Sequence, residues 1–415
     1  MKLRIGIHNL HMGARGGGEK RTLVLADYLS QKHHVWVFVS QPVNVALLEN
    51  YFDVDLSRLT FVVLGDGRSS GNHQKPSLWR ARREVFENSY GHFRKIQSCK
   101  LDLFINNSHC SNLPCPASLG VYMCMFPYRH TSSAKSFMGR TRRAFLNRME
   151  ERILGCRISD FLDSYDSVTA NSEFTAKWIE RMWGRHPETI YSVGDDMGPP
   201  VTKERIILNV GRFFMNGGGC LHKRQDLLLN VFRGMTDIHR AGWQMHFVGG
   251  VASDPASRAM VEKLSHTSKG LPIFFHLDAD FGRLRDLYRR ASIYWHATGY
   301  GFSPTEYPDM QEHFGLTTVE AMSAGVVPVV INSGGQCEIV TQGVNGLLWN
   351  ECDELERETR RLIDDPELRE AMSLQAQESL ARFSRRAFEG RMDAILDRLC
   401  LARASFDKAS LPSVI

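Results

Sequence analysis

The chain of 415 residues has no long apolar stretch, no paired cysteine motif and no evident export segment. Runs such as Val326–Ile331 are far shorter than the roughly 18–20 residues that a membrane-spanning helix needs. His8, Asn9 and His11 interrupt the apolar N-terminus, which is therefore unlike a signal peptide. The nine cysteines are scattered, odd in number and without a Cys-x-x-Cys pair, which argues against a disulfide framework or a zinc site. We expect reduced thiols and a cytoplasmic protein.

Neither sign of charge is in large excess. Lys and Arg number 51 against 46 Asp and Glu, which gives a formal net charge of +5. This balance is too weak to indicate a nucleic-acid partner, but it suits an anionic small molecule or an anionic membrane surface. With 43% apolar and 23% charged residues the composition is that of a globular protein, and the length predicts two domains.

Short apolar runs alternate with helical patterns, which predicts an α/β class with parallel sheets covered by helices. The pattern stops near 194–200, a segment rich in Gly, Pro and Asp that we interpret as a linker. We expect one domain at 1–195, a second at 200–380 and a last helix at 384–402. The predicted strands are 3–8, 35–40, 61–64, 103–106, 121–126 and 167–170, then 206–210, 243–248, 273–276, 293–296 and 326–331.

Gly16, Gly17 and Gly18 lie in a Gly-rich turn between the first strand and the first helix. Glycine lets a ligand approach the backbone closely, and a helix N-terminus favours an anion. The spacing fits neither the G-x-G-x-x-G fingerprint nor a P-loop, and Ser40 stands where an NAD enzyme would carry an acid. An oxidoreductase is therefore disfavoured. A turn that binds no ligand remains the alternative.

Two cations follow the first strand of the second half. Gly211 and Arg212 come directly after the predicted strand 206–210, and Lys223 lies at the start of the next helix. Ligands bind at the carboxyl edge of open α/β sheets. There the guanidinium of Arg212 could make two hydrogen bonds to a diphosphate, and the ammonium of Lys223 could contribute a compact positive charge. Two solvated loop cations are the alternative.

Glu312 and Glu320 are separated by seven residues. The pattern predicts a helix from about 317, so that Glu312 lies in the loop before it and Glu320 about one turn inside it. The two acids could then reach one pocket, and Glu320 could accept hydrogen bonds from a ribose diol. An exposed pair of acids on an amphipathic helix is the alternative.

An ordered set of motifs resembles glycosyltransferase family 4, whose members are retaining enzymes of the GT-B fold. The set comprises Gly211-Arg212, Lys223-Arg-Gln-Asp226, Glu312-x7-Glu320-Ala-Met-Ser-Ala-Gly325, Pro328, Gly334-Gly335-x-x-Glu338 and Asn345-Gly346-Leu347, preceded by the Gly-rich turn and Ala170-Asn-Ser-Glu-Phe-Thr-Ala176. The resemblance covers roughly residues 1–390. It implies two Rossmann-like domains facing each other across a cleft, the first binding the acceptor and the second a nucleotide sugar, with the last helix crossing back to the first.

The resemblance also implies roles for the residues at the motif positions. Arg212 and Lys223 would neutralise the diphosphate in place of a metal, so that no metal and no cofactor is expected. Glu320 would bind the ribose and Glu312 the donor sugar. The remaining donor-side positions, which would offer backbone groups, are Gly211, Phe314, Gly315 and Leu316.

On the acceptor side, Gly16–Gly18 would approach the acceptor or the phosphate. Met125 stands where many relatives carry a histidine, which leaves His109, Arg129 and His130 as substitutes.

The expected function is transfer of a hexose, with retention, to a hydroxyl acceptor in bacterial surface glycan or polysaccharide assembly. The acceptor could be a glycan, a lipid-linked molecule or a soluble small molecule, and a catalytically silent nucleotide-sugar-binding protein is the alternative from another class. Basic helical patterns at 80–94 and 140–157 suggest peripheral contact with the inner face of the cytoplasmic membrane, or simply solvated helix faces. Asp53 and Asp280 belong to acid-x-acid pairs that resemble metal motifs, but we expect Asp280 to cap a helix.

Overall fold

A computed structural model describes residues 2–14, 16–65, 91–128, 158–215 and 221–409, together with residues 145, 148, 149 and 152. The chain divides into two compact units. Unit 1 comprises Met1–Asn171, Thr175–Ile190 and Phe388–Ile415, and unit 2 comprises Ser172–Phe174 and Tyr191–Ala387. No helix within the described residues is both long and apolar enough to cross a bilayer.

Unit 1 contains a parallel sheet in which the strand order is β3-β2-β1-β4-β5-β6-β7. Its inner strands are almost wholly buried, as expected of a sheet covered on both faces. The bounds are β1 Arg4–His8, β2 His34–Val39, β3 Leu59–Val63, β4 Leu103–Asn106, β5 Leu119–Cys124, β6 Ser167–Ala170 and β7 Glu188–Thr189.

The helices of unit 1 follow the βα pattern. Helix α1 begins earlier than predicted, at Gly17 instead of Glu19, because the backbone carbonyl of Gly16 already accepts the first helical hydrogen bond from Lys20 at 3.0 Å. The described helices in this part of the chain are α1 Gly17–Ser30, α2 Val45–Phe52, α3 His92–Ser98 and α4 Glu173–Trp183.

Unit 2 contains a second parallel sheet with the strand order β10-β9-β8-β11-β12-β13. Its core lies on both sides of the central strands, and Trp295 and Trp349 are among its largest fully buried side chains. The strands are β8 Ile206–Val210, β9 Gln244–Gly249, β10 Ile273–Leu277, β11 Ile293–His296, β12 Val327–Ile331 and β13 Leu347–Trp349.

The helices of unit 2 pack on this sheet, and the last helix of the chain starts in unit 2 and belongs to unit 1 from Phe388 onward. They are α5 Gln225–Gly234, α6 Thr236–Arg240, α7 Pro255–Thr267, α8 Phe281–Arg290, α9 Leu316–Ser323, α10 Gln336–Ile339, α11 Cys352–Asp364, α12 Pro366–Glu378 and α13 Arg385–Ala409.

The predicted linker at 194–200 is part of unit 2, because the division falls between Ile190 and Tyr191. Met197 in this segment is fully buried in the core of unit 2, and a Cβ on Gly194 would lie 2.6 Å from Val319. The first domain therefore ends earlier than the predicted residue 195. The basic segments 80–94 and 140–157 lie largely outside the described residues, as do Arg129 and His130.

Candidate functional site

The sheet of unit 2 has a topological switch point between β8 and β11, where the chain direction of the crossovers reverses. In open α/β sheets this point, at the carboxyl ends of the strands, is the usual ligand site. Gly211 directly follows β8, and His296 is the last residue of β11. Gly211, one of the predicted donor residues, thus lies at this edge of the sheet, as does the end of β11.

Gly211 is held on both sides of its peptide. Its N–H donates to the carbonyl of Val248 at 2.9 Å, and Gln225 Nε2 donates to its carbonyl at 3.1 Å. A Cβ on Gly211 would lie 3.0 Å from Cγ of Lys223. The absence of a side chain therefore lets the stem of Lys223 lie against the backbone of the β8 loop.

Lys223, Glu312 and His296 form one cluster. Lys223 Nζ lies 2.5 Å from Glu312 Oε2, and His296 Nε2 lies 2.9 Å from the same oxygen. His296 Nε2 is also 3.1 Å from Thr298 Oγ1. The side chains of Lys223, Glu312 and His296 keep only 23%, 17% and 2% of their exposure, so the ion pair is largely shielded from water.

The cluster carries no net charge, because it combines the cation of Lys223, the carboxylate of Glu312 and the uncharged ring of His296. Burial by itself raises the pKa of Glu312, but the charge of Lys223 and the contacts of His296 outweigh it and hold that pKa well below its usual range. Burial lowers the pKa of His296, so its ring is neutral at physiological pH. Glu312 is therefore a carboxylate that is fixed by two donors.

The loop that carries Glu312 is fixed by the Gly334-Gly335 turn. The N–H of Gly335 donates to the carbonyl of Glu312 at 2.8 Å, and a Cβ on Gly335 would lie 2.5 Å from Cα of Phe314. Ser172 Oγ donates to the carbonyl of His313 at 2.5 Å. This packing explains why position 335 of the motif is a glycine.

Gly315 and Leu316 form the start of helix α9, where the first N–H groups have no partner within the helix. Gly315 has a φ of +121°, which other residues rarely adopt. The ring of Phe314 is buried and stacks on Tyr191 with centroids 5.7 Å apart. The ring of Phe314 is thus part of the core of unit 2, and the role of its backbone toward a ligand stays a prediction.

Glu320 lies one turn inside α9 and is 8% exposed. Tyr288 donates from its hydroxyl to Glu320 Oε2 at 3.3 Å and to the carbonyl of Thr317 at 3.2 Å. Glu320 therefore has a partner from helix α8, whereas Glu312 is held by the cluster at the switch point. The ribose-binding role of Glu320 stays a prediction.

Arg212 is exposed, and its guanidinium lies 5.5 Å from the centroid of the Phe214 ring. Phe214 in turn stacks on His222 at 4.8 Å, and burial lowers the pKa of His222 to about 4. Residues 216–220, between Arg212 and Lys223, lie outside the described part of the chain. Arg212 and Lys223 both lie between β8 and α5, and the role of Arg212 toward a diphosphate stays a prediction.

In unit 1 the Gly-rich turn differs from a phosphate loop. Gly17 and Gly18 are the first residues of α1, and the N–H of Gly16 donates to Oε2 of Glu19 at 2.7 Å. A carboxylate thus caps the helix end that was expected to attract an anion. The approach of Gly16–Gly18 to the acceptor or to the phosphate stays a prediction. A Cβ on Gly18 would lie 2.5 Å from Sδ of Met125, so the departure from the family pattern lies against this helix.

A buried polar network at the switch point of unit 1, between β1 and β4, was not found from the sequence. Asn9 and Asn107 both donate to Thr22 Oγ1, at 2.8 and 2.7 Å. His8 Nδ1 lies 3.1 Å from Asn106 Oδ1, and burial lowers the pKa of His8 to about 4. Consecutive polar residues at the ends of two strands, His8-Asn9 and Asn106-Asn107, are the signal that could have found it.

His109, the predicted acceptor-side residue, follows β4 in an exposed loop. Its position at the same carboxyl edge as Gly16–Gly18 is compatible with the prediction but does not test it.

The acid-x-acid pairs have structural explanations. Asp280 caps α8 by accepting the N–H of Arg283 at 2.7 Å, as predicted. Asp53 ends α2 in the left-handed region with a φ of +50°. Over the described ranges, no group of three or more His, Cys, Asp or Glu residues could hold a metal ion.

His296 is the donor-side residue that sequence reasoning missed. It is one of four histidines, at 222, 276, 296 and 313, whose spacing does not match a set of metal ligands. The available signal was positional, because His296 ends the strand that flanks the switch point.

Comparison with known proteins connects this site to one family. Residues 197–379 match the model of the family "Glycosyl transferases group 1". The match contains the Glu312–Glu320 motif and the cluster at the switch point.

Two curated relatives share the name GDP-Man:Man(3)GlcNAc(2)-PP-Dol alpha-1,2-mannosyltransferase. The protein of Yarrowia lipolytica is 35% identical over 204 residues, covering 43% of this chain and 29% of the relative. That of Dictyostelium discoideum is 36% identical over 146 residues, covering 34% and 26%. The chain thus spans less than a third of the length of these relatives.

Solved structures show the same fold at low identity. Anabaena Alr3699/HepE, in complex with UDP and glucose, has a TM-score of 0.65 at 17% identity, covering 95% of this chain and 99% of that one. Sucrose-phosphate synthase from Thermosynechococcus elongatus has a TM-score of 0.66 at 16% identity, covering 97% and 100%. The chain has the GT-B fold of two Rossmann-like units, and the matches together support a glycosyltransferase.

Proposed function

We propose that this protein is a retaining glycosyltransferase of the family 4 type, which moves a hexose from a nucleotide-diphosphate sugar to a hydroxyl acceptor. The observation that carries the proposal is the Lys223–Glu312 pair, with its 2.5 Å separation, at the switch point of unit 2. It combines a shielded cation with a carboxylate that precedes the N-terminus of α9. A diphosphate leaving group and a hydroxyl-bearing sugar need these two kinds of contact.

The chemistry assigned to the residues is electrostatic. Negative charge develops on the diphosphate as the glycosidic bond breaks, and cations and N–H groups fixed in advance stabilise it without reorganisation. In the proposal Lys223 and Arg212 provide the cations, and Gly315 and Leu316 provide N–H groups. Glu312 and Glu320 bind the sugar and the ribose. Because these groups neutralise the diphosphate, the proposal includes no metal and no cofactor.

The relatives make GDP-mannose the first donor to test and a lipid-diphosphate-linked oligosaccharide the first acceptor, since their names contain both. They come from Yarrowia lipolytica and Dictyostelium discoideum, so they do not favour the bacterial setting expected from the sequence. A lipid-linked acceptor would also suit a protein that binds peripherally to a cytoplasmic membrane face, which stays part of the proposal.

The test is titration of the purified protein with GDP-mannose and UDP-glucose in a calorimeter, followed by an assay of sugar release with EDTA present. Binding and slow hydrolysis of one donor are expected, and the released sugar should first show the anomeric configuration of the donor by NMR. Lys223→Ala should lower the rate about 100-fold, as loss of one preorganised donor does. Lys263→Ala, an exposed lysine on α7, is the matched control. Absence of binding by every common nucleotide sugar would refute the proposal.

A further inference from the structure

His296 is placed where it can control the carboxylate of the donor site. It is the last residue of β11, a central strand that pairs with β8 on one side and β12 on the other. Its side chain is 2% exposed, so its orientation is set by the packing of the sheet. A side chain on such a rigid element holds its partners more precisely than one on a loop.

The hydrogen bonds determine which ring nitrogen carries the proton. An ionised carboxylate only accepts, so the 2.9 Å contact with Glu312 Oε2 requires a proton on His296 Nε2. Thr298 Oγ1, at 3.1 Å from the same nitrogen, can share that proton as a second acceptor. Nδ1 is buried and, among the described residues, has no hydrogen-bond partner, which fits the lone-pair side of a neutral ring.

The two donors act on the same oxygen of Glu312. Lys223 and His296 both contact Oε2, from the turn before α5 and from the end of β11. Within the part of the chain that is described, no donor contacts Oε1, and the side chain keeps 17% of its exposure. One oxygen is therefore fixed by the protein, and the other is left for a ligand.

We infer that His296 is a positioning residue, which together with Lys223 holds Oε2 of Glu312 so that Oε1 accepts a hydroxyl of the donor sugar. This inference rests on the proposed function. His296 acts through Glu312 and does not touch the substrate. Its loss should weaken recognition of the sugar and leave recognition of the nucleotide and diphosphate intact.

The experiment compares the affinities for GDP and for GDP-mannose in the full-length protein by calorimetry. His296→Leu should bind GDP within about twofold of the unsubstituted protein, but lose about tenfold or more in affinity for GDP-mannose, as expected for a hydrogen bond to a charged group. His296→Gln, whose amide Nε2 can donate to Glu312, should restore most of that loss. His296→Asn is too short to reach Glu312 and should behave like His296→Leu, which provides a second test if the leucine variant does not fold.

His246→Leu is the matched control, because His246 is also a buried histidine of a unit 2 strand, bonded to His276 at 3.0 Å and to Gln244 at 3.0 Å. It should change neither affinity. Equal losses for GDP and GDP-mannose in the His296 variants would indicate a merely structural role and overturn the inference, as would unchanged affinities or a glutamine variant no better than asparagine. If the unsubstituted protein binds GDP and GDP-mannose with the same affinity, the inference fails while the proposed function stands. Absence of binding by every nucleoside diphosphate and nucleotide sugar would refute the proposed function as well.

Discussion

Removal of the charge of Lys223 is expected to destabilise unit 2, because Glu312 would keep only one neutral donor. Breaking a fully buried ion pair costs about 3–5 kcal/mol. The side chains of Lys223 and Glu312 keep 23% and 17% of their exposure, and His296 still donates at 2.9 Å. We therefore expect Lys223→Met, which preserves the apolar stem against Gly211, to cost about 2–3 kcal/mol at pH 7.

The loss should depend on pH in a direction fixed by Glu312. In the unsubstituted protein its folded pKa lies below the unfolded value, so its contribution to stability is present above about pH 4.3 and is lost as the pH falls through the folded pKa. In Lys223→Met the charge that lowers this pKa most is gone, and burial should raise it above the unfolded value. Glu312 then costs stability as the pH rises. The deficit of the variant should be full at neutral pH and shrink toward pH 4.

Scanning calorimetry of both proteins between pH 4 and pH 8 measures this deficit. Lys263→Met, at an exposed position of α7, is the control and should show no deficit at any pH. The double variant Lys223→Met, Glu312→Gln removes both charges and should recover at least half of the lost stability, because no buried ion is left unpaired. A deficit that is the same at every pH, or a double variant no more stable than Lys223→Met, would refute the reasoning.

Further predictions concern local structure at four positions. Gly335→Ala should cost about 1–3 kcal/mol and weaken nucleotide-sugar binding, because its Cβ would meet Phe314 at 2.5 Å. Gly343→Ala, with a φ of +74° but no atom within 4 Å, should cost only about 1–2 kcal/mol of backbone strain with binding unchanged; a binding defect as large as that of Gly335→Ala would contradict this account. Glu19→Ala should lower the free energy of unfolding by about 1 kcal/mol through loss of the α1 cap, and an unchanged melting temperature would argue against the cap. Asp280→Asn should keep the cap and the transfer rate, whereas Asp280→Ala should lose about 1 kcal/mol of stability at an unchanged rate. A slower Asp280→Asn variant would indicate that the carboxylate has a role beyond the cap, such as metal binding.

The strands were predictable where burial on both faces makes a continuous apolar run. Leu103–Asn106, Ile206–Val210 and Ile293–His296 have the predicted bounds, as does Ser167–Ala170, in which two of the four residues are polar. The edge strand β7 has only two residues, both polar or charged, and no pattern of such length can be read. Its place in unit 1 depends on long-range contacts, such as the ion pair of its Glu188 with Arg398 of the last helix.

The charged members of the proposed donor site, Lys223 and Glu312, could be singled out because their spacing along the chain is itself a signal. Lys223 and Glu312 follow glycine-rich turns at strand ends, and the structure brings them into contact across 89 positions of sequence. His296 could not be assigned in the same way. A histidine at a strand end is equally compatible with a buried core residue, and only the position of Glu312 Oε2 relative to Nε2 distinguishes the two cases.

The two units differ in the chemistry of their switch points, although each has a buried histidine at the end of a flanking strand. His296 of unit 2 contacts a carboxylate that also binds a lysine, whereas His8 of unit 1 contacts the amide of Asn106. The helix that follows β1 is already capped by its own acid, Glu19. An anionic diphosphate therefore finds cations in unit 2 and a carboxylate-capped helix in unit 1. For the proposed function this difference agrees with a diphosphate donor in unit 2, because Glu19 adds a negative charge beside the Gly-rich turn of unit 1.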